Sequence, residues 1–331
     1  MADQVADLKT LQDAILHFSD FDNCQRFLIS LRWTDGNVRC PYCGSERVVY
    51  LANARVWKCY EKHATPKFSI KVGTIFEDSP LGLNKWLPAV WLIVNCKNGI
   101  SSYEVGRDLG ISQKSAWFMD HRIRFALHQG SFEKMMTGHV EADETFIGGK
   151  ARNMHKDVRA RKITGTGGKD KTMVMGILER GKHGKQSKVR TTVVSSRKKK
   201  ALQAEVRKHV EAGSALYTDA LESYKGLNEF QHGVVDHAVQ YVDGMIHTNG
   251  LENFWSLLKR GINGTYVSVE PFHLFRYLDE QAYRYNNRKD DNGEKLTDFD
   301  RFKLACSQIV GKRLTWNALT GKQENPPTSV N

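Results

Sequence analysis

From His139 onward the apolar residues stop recurring at intervals of three and four and begin to alternate, and this change of period constrains the chain more than any other feature. His139–Ile147, Thr172–Leu178 and Lys188–Ser195 read as three successive strands. A helix follows from about Lys199 to Ala212, and a fourth strand, Ala215–Thr218, runs straight into an aspartate. A weaker fifth strand lies near Gly233–Val239, and helices resume at Asn249–Arg260, Pro271–Asn287 and Thr297–Val310. That order is an α/β domain with a mixed sheet flanked by helices. The tail Gln323–Asn331, with two prolines and no periodicity, reads as disordered.

The 49 Lys and Arg residues outnumber the 37 Asp and Glu residues, giving a formal net charge of +12. Such an excess attracts a polyanion, of which nucleic acid is the commonest. An anionic membrane would need an anchor. The longest apolar run, Trp86 to Val94, is nine residues and contains Pro88, against the ~20 apolar residues of a bilayer span. The N-terminal Met-Ala-Asp-Gln-Val-Ala-Asp is acidic and lacks the basic start of a signal peptide. A cytoplasmic, nucleoid-associated protein is expected, with double-stranded DNA as partner and no membrane.

The region before the sheet carries two DNA-binding signals. Cys40-Pro-Tyr-Cys43 is followed, after fifteen intervening residues, by Cys59 and His63. Two pairs of soft or borderline ligands across a hairpin-sized gap suit one tetrahedral zinc, and Gly44 lets the first turn close. Lys62 stands where a second Cys-x2-Cys would end, so His63 is the expected fourth ligand. The remaining cysteines, Cys24, Cys96 and Cys306, read as small buried hydrophobes. Downstream, Gly99 to Trp117 reads as helix, sharp turn, helix: Ser101 with Glu104 forms a capping box, Gly110 ends the first helix and Ser112 caps the second. Gln113 and Lys114 open that second helix, where this motif reads the major groove, and His121, Arg122 and Arg124 follow later on it. Capped helix pairs also occur in proteins that never touch DNA.

Between the first two strands, residues 150–171 carry Lys156, Arg159, Arg161 and Lys162 among other bases, with three glycines. This segment reads either as a solvated loop or as an arm that tracks phosphates. The divisions expected are therefore an N-terminal helical segment (1–34), a zinc ribbon (35–78), a helix-turn-helix region (79–130), a catalytic domain (136–290) with the basic loop, and a C-terminal helix and tail (291–331).

Three carboxylates stand where the strand order can bring them together. Alternation places Glu141, Asp143 and Thr145 on one face of the first strand, Asp219 ends the fourth, and Glu252 lies on the later helix, sharing a face with Ser256 and Lys259. Acids on a central strand, at the end of its neighbour and on a covering helix can hold two divalent cations for phosphodiester chemistry. An exposed carboxylate is ordinarily just solvated, and Asn249-x-x-Glu252 is also a helix-capping pattern.

These residues resemble the zinc-ribbon DDE transposases of bacterial insertion sequences, the ISXO-like group. The resemblance runs from about Phe21 to Arg288. It is carried by Cys40-Pro-Tyr-Cys43, Cys59-Tyr-Glu-Lys-His63, Phe68-Ser-Ile-Lys-Val-Gly-Thr-Ile-Phe-Glu-Asp-Ser-Pro and Glu141-Ala-Asp-Glu-Thr-Phe-Ile-Gly-Gly-Lys-Ala-Arg-Asn. His247-Thr-Asn-Gly-Leu-Glu-Asn-Phe-Trp-Ser-Leu-Leu-Lys-Arg and Tyr285-Asn-Asn-Arg complete it. The resemblance implies a ribonuclease H-like catalytic domain in which Asp143, Asp219 and Glu252 hold two catalytic Mg2+ ions, with Mn2+ as a substitute. Asn249 is the competing third position. Lys259, and Arg260 beside it, would contact DNA near the site, and Cys-x3-His would complete one structural zinc site. The expected activity is that of a transposase, which binds terminal inverted repeats, cleaves DNA and joins the ends to a target as a dimer or higher synaptic complex. The alternative is a transposase-derived DNA-binding regulator with a silent catalytic site. Ribonuclease and junction-resolvase activities are open to the same fold but have no need of both a ribbon and a helix-turn-helix.

Overall fold

A computed structural model of the chain describes residues 8–128, 134–149, 155–162, 171–182, 184–235 and 246–322, together with the backbone but not the side chains of 158, 161 and 162. Residues 8–96, 100–127 and 297–322 form one compact unit; 97–99 and the described part of 128–296 form a second.

The first unit opens with α1 (Leu11–Phe18) and α2 (Phe21–Arg32), the former started by a Thr10–Asp13 capping box. Strands β1 (Val48–Leu51), β2 (Val56–Cys59) and β3 (Lys67–Phe68) pair antiparallel in that order. Then come α3 (Leu83–Asn95), α4 (Ser102–Leu109) and α5 (Gln113–Leu127). Helix α3 contains the longest apolar run and is buried almost all round, as a core helix should be. Among the described residues no helix is long and apolar enough to cross a membrane.

The second unit follows with β4 (His139–Ile147), α6 (Lys156–Lys162), β5 (Thr172–Glu179), β6 (Lys188–Val194), α7 (Lys199–His209), β7 (Ala215–Asp219), β8 (Gln231–Val235), α8 (Asn249–Arg260) and α9 (Leu274–Asn286). The sheet runs β6-β5-β4-β7-β8; the first three strands are antiparallel, and β4, β7 and β8 are parallel. One face packs Val140, Ala142, Met175 and Ile177 against Leu202 and Val206 of α7. The other packs Val174, Leu178 and Val189 against Leu251, Phe254 and Trp255 of α8 and Leu278 of α9. Strand β6 is an edge. Asn286 covers it, accepting from the Val189 amide at 2.7 Å and donating to the Val189 carbonyl at 2.9 Å.

Helices α10 (Asp298–Ser307) and α11 (Trp316–Thr320) belong to the first unit. Phe302 stacks on Phe27 (5.3 Å between centroids) and meets Phe18 and Trp91 at 5.5 and 5.3 Å. The helical segment, ribbon, helix pair and C-terminal helices thus make one compact unit, where the sequence divided them into four. Cys24 and Cys306 are buried and Cys96 half-buried; burial pushes the Cys24 thiol up to about 12, an inert thiol. The ribbon has aromatic packing of its own. Trp57, 5% exposed, stacks on Phe68 at 5.9 Å and meets the edge of Trp33 at 6.5 Å. The tail 323–331 lies outside the described residues.

Candidate active site and metal centre

The ribbon ligands come together as their spacing requires. Gly44 takes positive φ (74°) and its amide bonds the Cys40 carbonyl at 2.8 Å, closing the first turn. Cys59 ends β2, and His63 lies on the loop that follows. Cys40 Sγ lies 3.6 Å from His63 Nε2, and Cys43 Sγ 3.7 Å from Cys59 Sγ. A tetrahedral ion with Zn–S ≈ 2.3 Å and Zn–N ≈ 2.0–2.1 Å sets its ligands ~3.6–3.8 Å apart, so the donor set and spacing both fit zinc. All four ligand atoms lie within 4.8 Å of one another. Among the described residues, no other set of three or more Cys, His, Asp or Glu side chains is drawn to single-ion spacing.

The helix pair forms as read. Ser101 and Glu104 make the capping box, Gly110 adopts the left-handed conformation (φ 61°), and Ser112 Oγ accepts from the Ser115 amide. Gln113 donates to Ser102 Oγ at 3.0 Å, and the exposed Lys114 ammonium sits over the Trp316 ring at 4.9 Å. The later bases point inward: His121, Arg122 and Arg124 are buried, and Arg122 donates to the Glu77 carbonyl beside the Trp86 and Phe118 rings. Those three belong to the core, not to a DNA-reading face.

In the second unit Asp143 stands on central β4. Asp219 ends parallel β7, one step beyond the Ala142–Thr218 register. Asp219 Oδ1 accepts from the Leu221 amide at 3.3 Å. Helix α8 lies over the same face of β4 and buries Leu251, Phe254, Trp255 and Leu258, leaving Glu252, Ser256 and Lys259 exposed together, with Arg260 beside them. Burial first, then the charges of Asp219 and Glu252, push the Asp143 carboxyl up to about 6. The three acids therefore share one electrostatic neighbourhood, though more loosely than the ribbon tetrad.

Four residues that sequence reasoning left without a role organise this face. Trp255 Nε1 donates to Asp143 Oδ2 at 2.9 Å, tying α8 to the first acid. Gly176, opposite Asp143 on β5, leaves room for that contact: a Cβ there would stand 2.6 Å from Trp255 and 2.8 Å from Leu251. Gly250 does the same for Glu141, whose carboxylate would lie 2.8 Å from a Cβ. Glu141 accepts from the Leu251 amide at 2.9 Å, so the first turn of α8 is capped from the sheet. Thr248, at the N-cap, makes no side-chain cap, and the Asn249-x-x-Glu252 capping pattern does not form; Asn249 is the exposed first residue of the helix. On the reverse face of β4, Tyr224 donates to Glu144, whose carboxyl burial pushes up to about 7.

Of the basic arm, residues 150–154 and 163–170 and the side chains of Arg161 and Lys162 lie outside the described residues. Lys156 and Arg159 are exposed on α6, a short helix where the sequence suggested loop.

Two family profiles match the chain: the transposase zinc-ribbon domain over residues 19–63 and the ISXO2-like transposase domain over residues 135–286. A protein of the transposable element ISH50 from Halobacterium salinarum is 28% identical over 262 residues, covering 76% of this chain and 86% of the relative. A transposase-like protein of Haemophilus influenzae is 32% identical over 102 residues, covering 30% of this chain and 82% of the relative. No solved structure matches.

Proposed function

Since the chain belongs to the ISXO2-like transposases of insertion sequences, we propose that it binds the terminal inverted repeats of its element, cleaves the DNA and joins the freed ends to a target. The observation that supports this reading best is that Asp143 on β4 feels the charges of Asp219, at the end of neighbouring β7, and of Glu252 on α8, with α8 tethered to Asp143 through Trp255. Two divalent cations, Mg2+ or Mn2+, supply the chemistry when bound: they activate the attacking oxygen and stabilise the leaving one. Asp143 and Asp219 hold from the sheet and Glu252 from the helix. Burial raises Asp143 first and the charges of Asp219 and Glu252 add to it; such cations would neutralise that negative charge. Cleavage leaves a 3′-hydroxyl, and strand transfer uses that hydroxyl as nucleophile against a target phosphodiester, exchanging one P–O bond for another. Lys259, on the exposed face of α8 with Glu252, meets a phosphate beside the scissile bond, and Arg260 a neighbouring one. The ribbon, with one structural zinc on Cys40, Cys43, Cys59 and His63, and the helix pair hold the terminal repeat through Gln113 and Lys114. Lys156, Arg159, Arg161 and Lys162 add sequence-independent phosphate contacts. Joining two ends calls for at least two copies in the active complex.

The test is cleavage and strand transfer on an end-containing duplex. Asp143→Asn, Asp219→Asn and Glu252→Gln should each abolish both steps and keep DNA binding. Asn249→Ala should keep the chemistry, because Asn249 neither caps α8 nor, on this reading, holds metal. Loss of cleavage in Asn249→Ala with retention in Glu252→Gln would exchange the two roles. A wild-type protein that binds the repeats and cuts nothing at any Mg2+ or Mn2+ concentration would instead be a regulator with a silent site.

A further inference from the structure

Glu141 is 1% exposed and stands two residues before Asp143 on the same face of β4, yet nothing in the proposed chemistry uses it. Its two oxygens do different work. One accepts from Arg180 Nε at 2.7 Å, and the other takes the Leu251 amide at 2.9 Å. Arg180, which follows β5, closes the ring: its Nη2 donates to the His247 carbonyl at 2.6 Å and to His247 Nδ1 at 2.8 Å. The guanidinium also lies over the Tyr217 ring at 4.5 Å, against the strand that ends in Asp219. For Nδ1 to accept, His247 must be neutral, and burial together with the Arg180 charge holds its pKa below the ordinary value.

We infer that Glu141 and Arg180 are a positioning pair, a buried clamp that fixes the first turn of α8 on the sheet and so sets where Glu252 stands relative to Asp143 and Asp219. The next residue after the clamped amide is Glu252 itself. Thr248, at the N-cap, makes no side-chain cap, and the buried Leu251 N–H of this first turn is met from the sheet by Glu141. A carboxylate there also meets the positive end of the helix dipole. Gly250 is the glycine of Thr-Asn-Gly because any Cβ would drive this carboxylate off the turn. With the clamp in place α8 is held at two points, Leu251 to Glu141 and Trp255 to Asp143, and the side chain of Glu252 springs from between them. Glu141 and Arg180 touch no reacting atom; they act through Glu252.

The inference rests on the proposed function, and one experiment separates the two. Full-length, zinc-loaded protein is titrated with Mn2+ alone by calorimetry. The indole N–H resonance of Trp255, assigned through Trp255→Phe, is followed in the same metal-free samples. Glu141→Ala should weaken Mn2+ binding by about tenfold or more and move the Trp255 resonance, the scale on which outer hydrogen-bond partners tune a metal site. Arg180→Met should do the same. Glu141→Gln keeps an acceptor for Leu251 and should restore most of both signals; Arg180→Met carries the test if the alanine variant does not fold. Mn2+ affinity and the Trp255 resonance both at wild-type values in Arg180→Met, and in Glu141→Ala where it folds, with only the melting temperature lowered, would overturn the inference and leave the clamp as packing. Asp143→Asn is the control. If it loses Mn2+ while the clamp variants bind normally, only the inference falls. If Asp143→Asn binds Mn2+ as the wild type does, the acids are not the metal site, and the proposed function falls with it.

Discussion

Gly176→Ala tests whether α8 reaches Asp143 only because β5 has no side chain opposite it. In an unobstructed strand this change is favourable, since alanine lowers the entropy of the unfolded chain by an amount worth about 0.4–1 kcal/mol. Here the new methyl would stand 2.6 and 2.8 Å from two ring carbons of Trp255 and 2.8 Å from Leu251 Cδ2. Carbon pairs prefer about 3.5–4.0 Å, so the helix must retreat by about 1 Å. Neither neighbour is a loose end: Leu251 and Trp255 are 0% and 4% exposed within the α8 and α9 core. Overpacking of this kind costs about 1–3 kcal/mol. The same retreat stretches the 2.9 Å Trp255–Asp143 bond past hydrogen-bonding distance. Denaturant melts should therefore show a net loss of about 1–2 kcal/mol, and cleavage should need more Mg2+ than the wild type. A variant that gains stability, or that loses stability with unchanged metal dependence, would refute the account of how the helix is seated.

Cys59→Ser should remove bound zinc by metal analysis and raise hydrogen exchange across residues 39–75, whereas His63→Ala should weaken retention; zinc-free wild-type protein would sink the assignment. Neutralising Lys156, Arg159, Arg161 and Lys162 together should flatten the log-affinity against log-salt slope and leave sequence preference intact, and an unchanged slope would make the arm mere solvated surface. Exchanging Gln113 and Lys114 should erode preference for terminal repeats over random DNA, measured by competition binding. Asp143, raised to about 6 from an ordinary 3.8, binds its proton more tightly folded than unfolded. In zinc-loaded, magnesium-free protein its contribution, read as the difference between wild type and Asp143→Asn in melts, should therefore be fully present below the ordinary carboxylate range and fall by up to about 3 kcal/mol as pH rises through 6, with Mg2+ offsetting the loss above pH 7; a difference that does not change with pH would contradict it.

How much of this was legible depended on whether a feature is local. The strand His139–Ile147 and the helix Asn249–Arg260 were read with their observed boundaries, because alternation and amphipathic spacing are written in consecutive residues. The capping box at Ser101 is equally local. Inward or outward direction is another matter. His121, Arg122 and Arg124 look like a basic helix face, but α5 turns them into the unit, where Trp86 and Phe118 lie against Arg122. Polarity alone does not say which side of a helix its neighbours cover. Nor could the ribbon's aromatic stack be read, since it joins Trp33, Trp57 and Phe68 across a hairpin and a loop.

The candidate site divides along the same line. Asp143, Asp219 and Glu252 could be singled out because each ends or faces something in its own element, but what seats them depends on register. Gly176 matters only once β5 is paired antiparallel to β4 so that it falls opposite Asp143. Slipping that pairing by one residue would put Met175 or Ile177 there, and α8 could not close on the sheet. Glu141 was visibly on the Asp143 face, yet its partners lie 39 and 110 residues away, at Arg180 and Leu251. An isolated buried carboxylate is costly, so its occurrence inside a central strand was the one signal available: such a group must have a cation or a set of amide donors waiting for it. Here it has both, and each of them leads to the helix that carries Glu252.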